Sequence, residues 1–86
     1  MLTIHKYPLD LADLQSIELP QGAEILTVQV QHDVPVLWAK VDTTYPTARR
    51  LIHLVGTGNP LVDHAARYIA TIQLHGGALV LHAFEA

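Results

Sequence analysis

Short runs of apolar residues, separated by turn-forming residues, recur along the whole chain. Such runs are typical of strands in antiparallel β domains. They predict strands near residues 2–7, 15–19, 24–31, 36–42, 49–55, 68–75 and 78–85. Pro20-Gln21-Gly22 has the composition of a type I turn, and Gly76-Gly77 can supply the positive φ angles of a hairpin. We therefore expect a mainly β fold, a small antiparallel β-sandwich or barrel of about seven strands.

Two segments favour short helical turns. Residues 10–13 could form one capped turn. Asn59-Pro60 has the composition of an N-cap followed by proline at the first helical position, and Asp63 and Arg67 follow one turn apart. The sequence thus predicts a short helix over 60–67, and at most one or two short helical turns in all.

Pairing the strands of the two clearest hairpins tests the β prediction. In the 24–42 hairpin, one face gathers Leu26, Val28, Val30, Leu37, Ala39 and Val41. In the hairpin around Gly76-Gly77, one face gathers Tyr68, Ala70, Ile72, Leu74, Leu79, Leu81 and Ala83. Because side chains alternate between the faces of a strand, each hairpin acquires one apolar face for a core.

The same pairing leaves a surplus of apolar residues on the opposite, polar faces. These residues are Val36, Trp38, Ile69, Val80 and Phe84. A chain of 86 residues has little material with which to cover both sides of its sheet. Either a second layer of the same chain or another chain covers this surplus. We therefore expect a homo-oligomer, most simply a two-fold dimer.

Composition narrows the class of protein further. The chain of 86 residues is expected to form a single domain over 1–86, and its 50% hydrophobic content excludes intrinsic disorder. The absence of cysteine excludes disulfides, thiolate metal sites and a cysteine nucleophile. A net charge of −3 gives no basic footprint for nucleic acid. Without a long apolar run or the character of a signal peptide at its start, the chain is expected to be cytoplasmic and not membrane-bound.

The motifs of catalysis and metal binding are missing from the sequence. None of the six histidines stands in an H-x-H or H-E-x-x-H spacing, and the predicted register separates His75 from His82 by roughly 13 Å. The single serine, Ser16, lies outside any G-x-S-x-G motif. We therefore predict no catalytic residue, no cofactor and no metal ligand.

The most distinctive local stretch is Val55-Gly56-Thr57-Gly58-Asn59-Pro60. Two glycines after a strand can aim backbone amides at an anion, and a following helix N-terminus would reinforce this. The same glycines can instead simply end a strand in a tight turn. With the nearby arginines and a tryptophan suited to stacking or to an interface, the candidate ligand-binding residues are Trp38, Arg49, Arg50, Gly56, Thr57, Gly58 and Arg67.

An ordered set of motifs spans nearly the whole chain. They are Ile4-His5-Lys6-Tyr7-Pro8-Leu9, Gly22-Ala23-Glu24-Ile25-Leu26, Val28-Gln29-Val30-Gln31, Pro35-Val36-Leu37-Trp38-Ala39, Val41-Asp42, Val55-Gly56-Thr57-Gly58, Tyr68-Ile69-Ala70-Thr71 and His82-Ala83-Phe84-Glu85. In this order the chain resembles a family of small proteins encoded by tailed bacteriophages and prophages. The resemblance implies a phage or prophage origin and a bacterial cytoplasm, and it implies no activity and no site residue.

Three classes of function remain open. The first is a non-enzymatic binding protein that occupies a host protein or sequesters a nucleotide-type ligand, as an inhibitor of host defence does. The second is a structural, assembly or minor virion protein that works through oligomerisation. The third is a small histidine-dependent enzyme, which no motif supports. In the oligomeric assembly, ligand binding is favoured if Arg49, Arg50, Arg67 and the glycine loop of neighbouring chains face one cavity, and interaction or assembly is favoured if they point separately into solvent.

Overall fold

The structure is a computed structural model that describes residues 1–61 and 66–86. These described residues contain seven strands and one 3₁₀ turn over His75–Gly77. The strands are β1 (Leu2–Pro8), β2 (Leu14–Pro20), β3 (Glu24–Gln31), β4 (Val34–Asp42), β5 (Thr47–Gly56), β6 (Arg67–Leu74) and β7 (Leu79–Glu85). Each lies within two residues of its predicted position.

The strands form two antiparallel sheets. One has three strands in the order β1-β4-β3, and the other has four in the order β2-β5-β7-β6. Their apolar faces enclose the core, whose largest fully buried side chains are Leu19, Val28, Leu37, Val41, Ile52 and Leu74. The mainly β prediction is confirmed, and of the two predicted architectures the structure has the sandwich.

The turn between β2 and β3 is type II and not the predicted type I. The Ala23 amide donates to the Pro20 carbonyl at 3.1 Å, so the turn runs from Pro20 to Ala23. Gly22 has φ +77° at its third position, which a type I turn does not allow. The residue types therefore predicted the position of the turn correctly, whereas its type depended on the backbone conformation of Gly22.

A β-bulge in β3 reverses one core assignment. Ile25 pairs with Ala39 and Thr27 pairs with Trp38, so Leu26 has no partner in the ladder. Ile25 consequently lies in the core at 5% exposure, and Leu26 is 43% exposed. The prediction that Leu26 shares the core face was wrong, because one extra residue moves the preceding side chains to opposite faces.

A second bulge, in β6, has the same effect. Tyr68 pairs with Phe84 and Ala70 pairs with Ala83, which leaves Ile69 unpaired. Ile69 packs against the core, whereas Tyr68 lies on the opposite face and is 55% exposed. The predicted positions of these two residues were thus exchanged. Tyr68 contacts Phe84 edge-to-face, with ring centroids 5.6 Å apart, and so covers part of the apolar surplus.

Part of the remaining surplus is covered by a long polar side chain. The Lys6 ammonium in β1 donates to Gln31 Oε1 in β3 at 2.9 Å, so the side chain crosses β4. Val36 lies in β4 between them and is only 3% exposed, although it points away from the core. The aliphatic stem of a lysine can cover apolar surface in this way. Val36 therefore needs no second chain to bury it.

The predicted helical turns find little support in the described residues. Residues 10–13 form a loop, which the Gln15 side chain holds through hydrogen bonds to the amide and carbonyl of Asp10 at 2.9 and 2.8 Å. Residues 62–65 of the predicted 60–67 helix lie outside the described residues, and Arg67 belongs to β6. Within residues 1–61 and 66–86, no helix is long and apolar enough to cross a membrane.

The β3 bulge predicts unequal effects for two neighbouring substitutions. Ile25→Ala removes buried side-chain volume and is expected to lower the free energy of unfolding by about 2–5 kcal/mol. Leu26→Ala removes an exposed side chain and is expected to change it by about 0.5 kcal/mol or less. Urea denaturation measures both values. A larger loss for Leu26→Ala would contradict the bulge and restore the simple alternation.

Candidate functional site

The four-stranded sheet carries a cleft on its outer face, the face directed away from the core. The cleft has a volume of about 480 Å³ and opens where β5 ends. Its described lining residues are Asp13, Leu14, His53, Leu54, Val55, Gly56, Asn59 and Pro60. A smaller recess of about 180 Å³ adjoins it and is lined also by Thr57, Gly58, Leu61, His82 and Phe84. We call the larger space the β5 cleft; its size is typical of small-ligand pockets.

A tight turn at the end of β5 forms one wall of this cleft. The Asn59 amide donates to the Gly56 carbonyl at 3.0 Å, and Gly58 has φ +87°, as a type II turn requires. A Cβ on Gly56 would lie 2.9 Å from Asn59 Nδ2, so the side chain of Asn59 needs that position bare. Both glycines are thus explained by the turn. The backbone amide of Asn59 donates to the Gly56 carbonyl within the turn, so it does not point at an anion.

A chain of side-chain hydrogen bonds fixes an imidazole beside the turn. His82 Nε2 lies 2.7 Å from Thr57 Oγ1, and His82 Nδ1 lies 3.0 Å from Thr71 Oγ1. Thr71 Oγ1 in turn lies 2.8 Å from the Tyr68 hydroxyl. Either histidine tautomer suits this arrangement, because a hydroxyl can donate or accept. The pairing of Thr71 with His82 follows from the predicted hairpin register, whereas the reach of Thr57 across to β7 does not.

Among residues 1–61 and 66–86, the hydrogen-bond partners of His82 are threonine hydroxyls and not the carboxylate of a catalytic triad. A base that activates a hydroxyl nucleophile is usually oriented by a carboxylate on its second nitrogen. In the described part of the chain, His82 is bonded to threonine hydroxyls on both sides, and no carboxylate contacts it. The arrangement fixes the position of the ring relative to the turn.

Two of the candidate arginines lie at a different place and are bound to a carboxylate. Arg50 forms a two-point contact with Glu85 through its Nε and Nη2 atoms, and Arg67 Nη2 donates to Glu85 Oε1 at 3.2 Å. Arg50 Nη1 also donates to the Ala23 carbonyl at 2.9 Å, just before β3 of the opposite sheet. The hydrogen bond from Arg50 holds the pKa of the Glu85 carboxyl below its ordinary value. Arg50 therefore ties the two sheets together.

The structure distributes the seven candidate ligand-binding residues over four places. Gly56, Thr57 and Gly58 line the cleft or its recess, and Arg50 and Arg67 contact Glu85. Arg49 is exposed, opposite Glu18 in the register and seven residues before Gly56, which is about 23 Å along a strand. Trp38 lies half-buried in the other sheet. Only the glycine loop reaches the β5 cleft, and the arginines do not share a cavity with it.

The charge of the β5 cleft reflects this separation. Asp13 is the only charged residue among the described residues that line it, and the other lining groups are aliphatic, amide, imidazole or backbone. A phosphate group is usually held by arginine, lysine or backbone amides. In its described lining the cleft offers none of these basic side chains. Its chemistry therefore suits an apolar group more than a nucleotide phosphate.

Two further histidines, His53 and His75, lie in separate places. His53 lies in β5 at 7% exposure and forms part of the cleft wall. His75 joins two turns, because its amide and its Nδ1 atom both lie 2.7 Å from the carboxylate of Asp33. Its backbone hydrogen bond contributes most to holding the pKa of Asp33 below the ordinary value. In residues 1–61 and 66–86, no three side chains of the metal-ligating types converge.

A family model described as "Domain of unknown function (DUF7352)" matches residues 1–86. No curated protein and no solved structure matches the chain.

The contacts of Arg50 predict that it contributes to stability. Arg50→Gln leaves Glu85 nearly buried without its main partner and removes the bond to the other sheet, so we expect the free energy of unfolding to fall by about 2 kcal/mol. Arg49→Gln alters an exposed neighbour and is expected to change it by about 0.5 kcal/mol or less. Urea denaturation compares the two variants. Equal effects would contradict the bridging role of Arg50.

The same ion pair predicts a dependence on pH. Because the pKa of Glu85 is lowered in the folded state, the pair stabilises fully above the unfolded carboxyl pKa of about 4.3. This stabilisation is lost as the pH falls through the folded pKa. The difference in unfolding free energy between the unsubstituted protein and Arg50→Gln is therefore expected to be large near neutral pH and smaller at about pH 3. A difference that stays constant would show that the charge of Glu85 is not involved.

Proposed function

This chain belongs to the DUF7352 family, and we propose that it is a non-enzymatic binding protein whose β5 cleft takes an apolar side chain of a partner protein. The resemblance to phage and prophage proteins supports a bacterial host protein as that partner. It also supports the bacterial cytoplasm as the place of action. Inhibition of a host-defence protein is one form that such binding takes.

The composition of the cleft lining carries this proposal. A pocket of about 480 Å³ with mostly apolar walls and one described carboxylate matches the pockets that receive aromatic and aliphatic anchors at protein interfaces. Asn59 and His53 add polar groups that can fix the orientation of such an anchor. A nucleotide is less well supported, because Arg50 and Arg67 are occupied by Glu85 at another corner of the sheet.

The surroundings of the cleft suit a partner larger than a small molecule. Leu14, His53, Phe84 and Tyr68 pair in succession and form one row across the whole sheet. The two ends of this row, Leu14 and Tyr68, are exposed apolar residues on the edge strands. Exposed apolar side chains beside a pocket are typical of protein interaction sites. The row therefore provides a rim on both sides of the anchor pocket.

Binding of an isolated side-chain analogue tests the proposal. Indole represents an aromatic anchor, and ATP represents a nucleotide. We expect millimolar indole to shift the amide NMR signals of Val55, Gly56 and Asn59, and the same concentration of ATP to leave them unchanged. Shifts with ATP alone would replace this proposal with nucleotide binding. No shift with either probe would show that the cleft is not a binding site.

Two matched variants control for non-specific binding of indole. Leu14→Glu places a carboxylate at the rim of the cleft and is expected to weaken indole binding several-fold. Leu26→Glu makes the same change at an exposed leucine of the other sheet and is expected to have no effect. Equal weakening in both variants would show that the indole does not bind in the cleft.

A further inference from the structure

The first strand is a free edge of the three-stranded sheet. We propose that β1 pairs antiparallel with β1 of a second copy of this chain, so that two three-stranded sheets join into one of six strands. This interface lies on the opposite sheet from the β5 cleft. The inference therefore does not rest on the proposed function of that cleft.

The backbone of β1 presents unused hydrogen-bonding groups along this edge. The Leu9 amide donates to the Pro35 carbonyl at 2.8 Å, and the Thr43 amide donates to the Met1 carbonyl at 2.9 Å. In an antiparallel ladder only alternate residues bond to the neighbouring strand. The odd-numbered residues of β1 thus bond to β4, and the N–H and C=O groups of Leu2, Ile4 and Lys6 point outwards. In the part of the chain that the structure describes, no strand pairs with this edge.

These outward groups are complementary to themselves under a two-fold axis. When the axis passes beside Ile4, Ile4 lies opposite Ile4 of the second copy, and Leu2 lies opposite Lys6 of the second copy. Each of these pairs exchanges two backbone hydrogen bonds. Moving the centre to His5 places Leu2 opposite Pro8, which has no N–H to donate. The register centred on Ile4 makes as many backbone hydrogen bonds as the one centred on His5, and of the two only it places the apolar Ile4 opposite Ile4 of the second copy.

The side chains of this edge also favour the pairing. Leu2 and Ile4 are 65% and 58% exposed, and the two-fold axis brings Ile4 next to Ile4 and Leu2 of the second copy on the outer face. Lysine at an edge often prevents such pairing, but Lys6 is directed across β4 to Gln31. In the register centred on Ile4, no two like charges stand opposite each other. Thr3 faces His5 of the second copy on the other side of the sheet.

Strand β2, an edge of the other sheet, is less suitable for the same contact. The bonds from the Leu54 amide to the Asp13 carbonyl and from the Gln21 amide to the Pro46 carbonyl leave the even-numbered residues of β2 directed outwards. Self-pairing there would be centred on the small polar Ser16, with Glu18 beside it. It would bury less apolar surface than pairing around Ile4 does. The observations therefore favour β1.

A charge-exchange experiment tests both the partner and the register. The unsubstituted protein is expected to show a concentration-dependent dimer mass in sedimentation velocity at neutral pH. Ile4→Lys and Ile4→Glu each place two like charges directly opposite and are expected to raise the dimer dissociation constant at least tenfold. An equimolar mixture of the two variants is expected to recover the dimer, because Lys then faces Glu.

Control variants separate the other outcomes. Leu26→Lys adds the same charge at an exposed leucine away from β1 and is expected to leave the dimer intact, while thermal unfolding checks that every variant folds. An unsubstituted protein that stays monomeric at millimolar concentration would overturn the proposal. The proposal would also be overturned if the mixture failed to recover the dimer. If Ser16→Lys dissociated the dimer and Ile4→Lys did not, the interface would lie at β2 instead. Indole binding to Ile4→Lys reports on the cleft separately.

Discussion

The constraint behind this structure is that a sandwich of two thin sheets buries only one face of each strand. The core takes the inward side chains of both sheets, with Leu37 and Ala39 on one side and Ile52 and Leu54 on the other. Half of the chain is hydrophobic, so apolar residues remain for the outer faces. On these outer faces, longer side chains of the same chain cover some of the apolar residues. Lys6 crosses β4 beside Val36, and Tyr68 packs against Phe84.

Short apolar runs bounded by turn residues were enough to predict the seven described strands, and alternation assigned the faces of two hairpins because it is what burying one face demands. It could not predict the two bulges. At each bulge the exchanged neighbours are both apolar, Ile25 with Leu26 and Tyr68 with Ile69, so either residue satisfies the pattern. The choice depends on packing between the sheets, which a single strand does not encode. The predicted core faces of the two hairpins were therefore wrong at these two pairs of neighbouring residues, where one apolar residue took the place of the other.

The candidate site was predicted less well, for a reason that was already visible in the alternation. Arg50 is two residues from Ile52, so it shares the inward face, and an inward arginine needs a partner. Glu85 is two residues from the buried Ala83 and therefore also faces inward. Arg50 and Glu85 meet at one corner of the sandwich. Nearness in sequence suggested instead that the arginines serve the glycine loop. The rise along β5 separates them from it.

Pairing of two copies at the free β1 edge would also fix how their two β5 clefts are placed relative to each other. A two-fold axis that joins the β1 edges runs perpendicular to the sheets. Rotation about this axis leaves the outer face of each sheet directed to the same side in both copies. Both β5 clefts would then open towards the same side of the dimer. A partner that presents two equivalent apolar anchors would engage both clefts at once, and its second contact would be intramolecular. Weak binding at each cleft would in this way give a stable complex only with a partner that is itself paired.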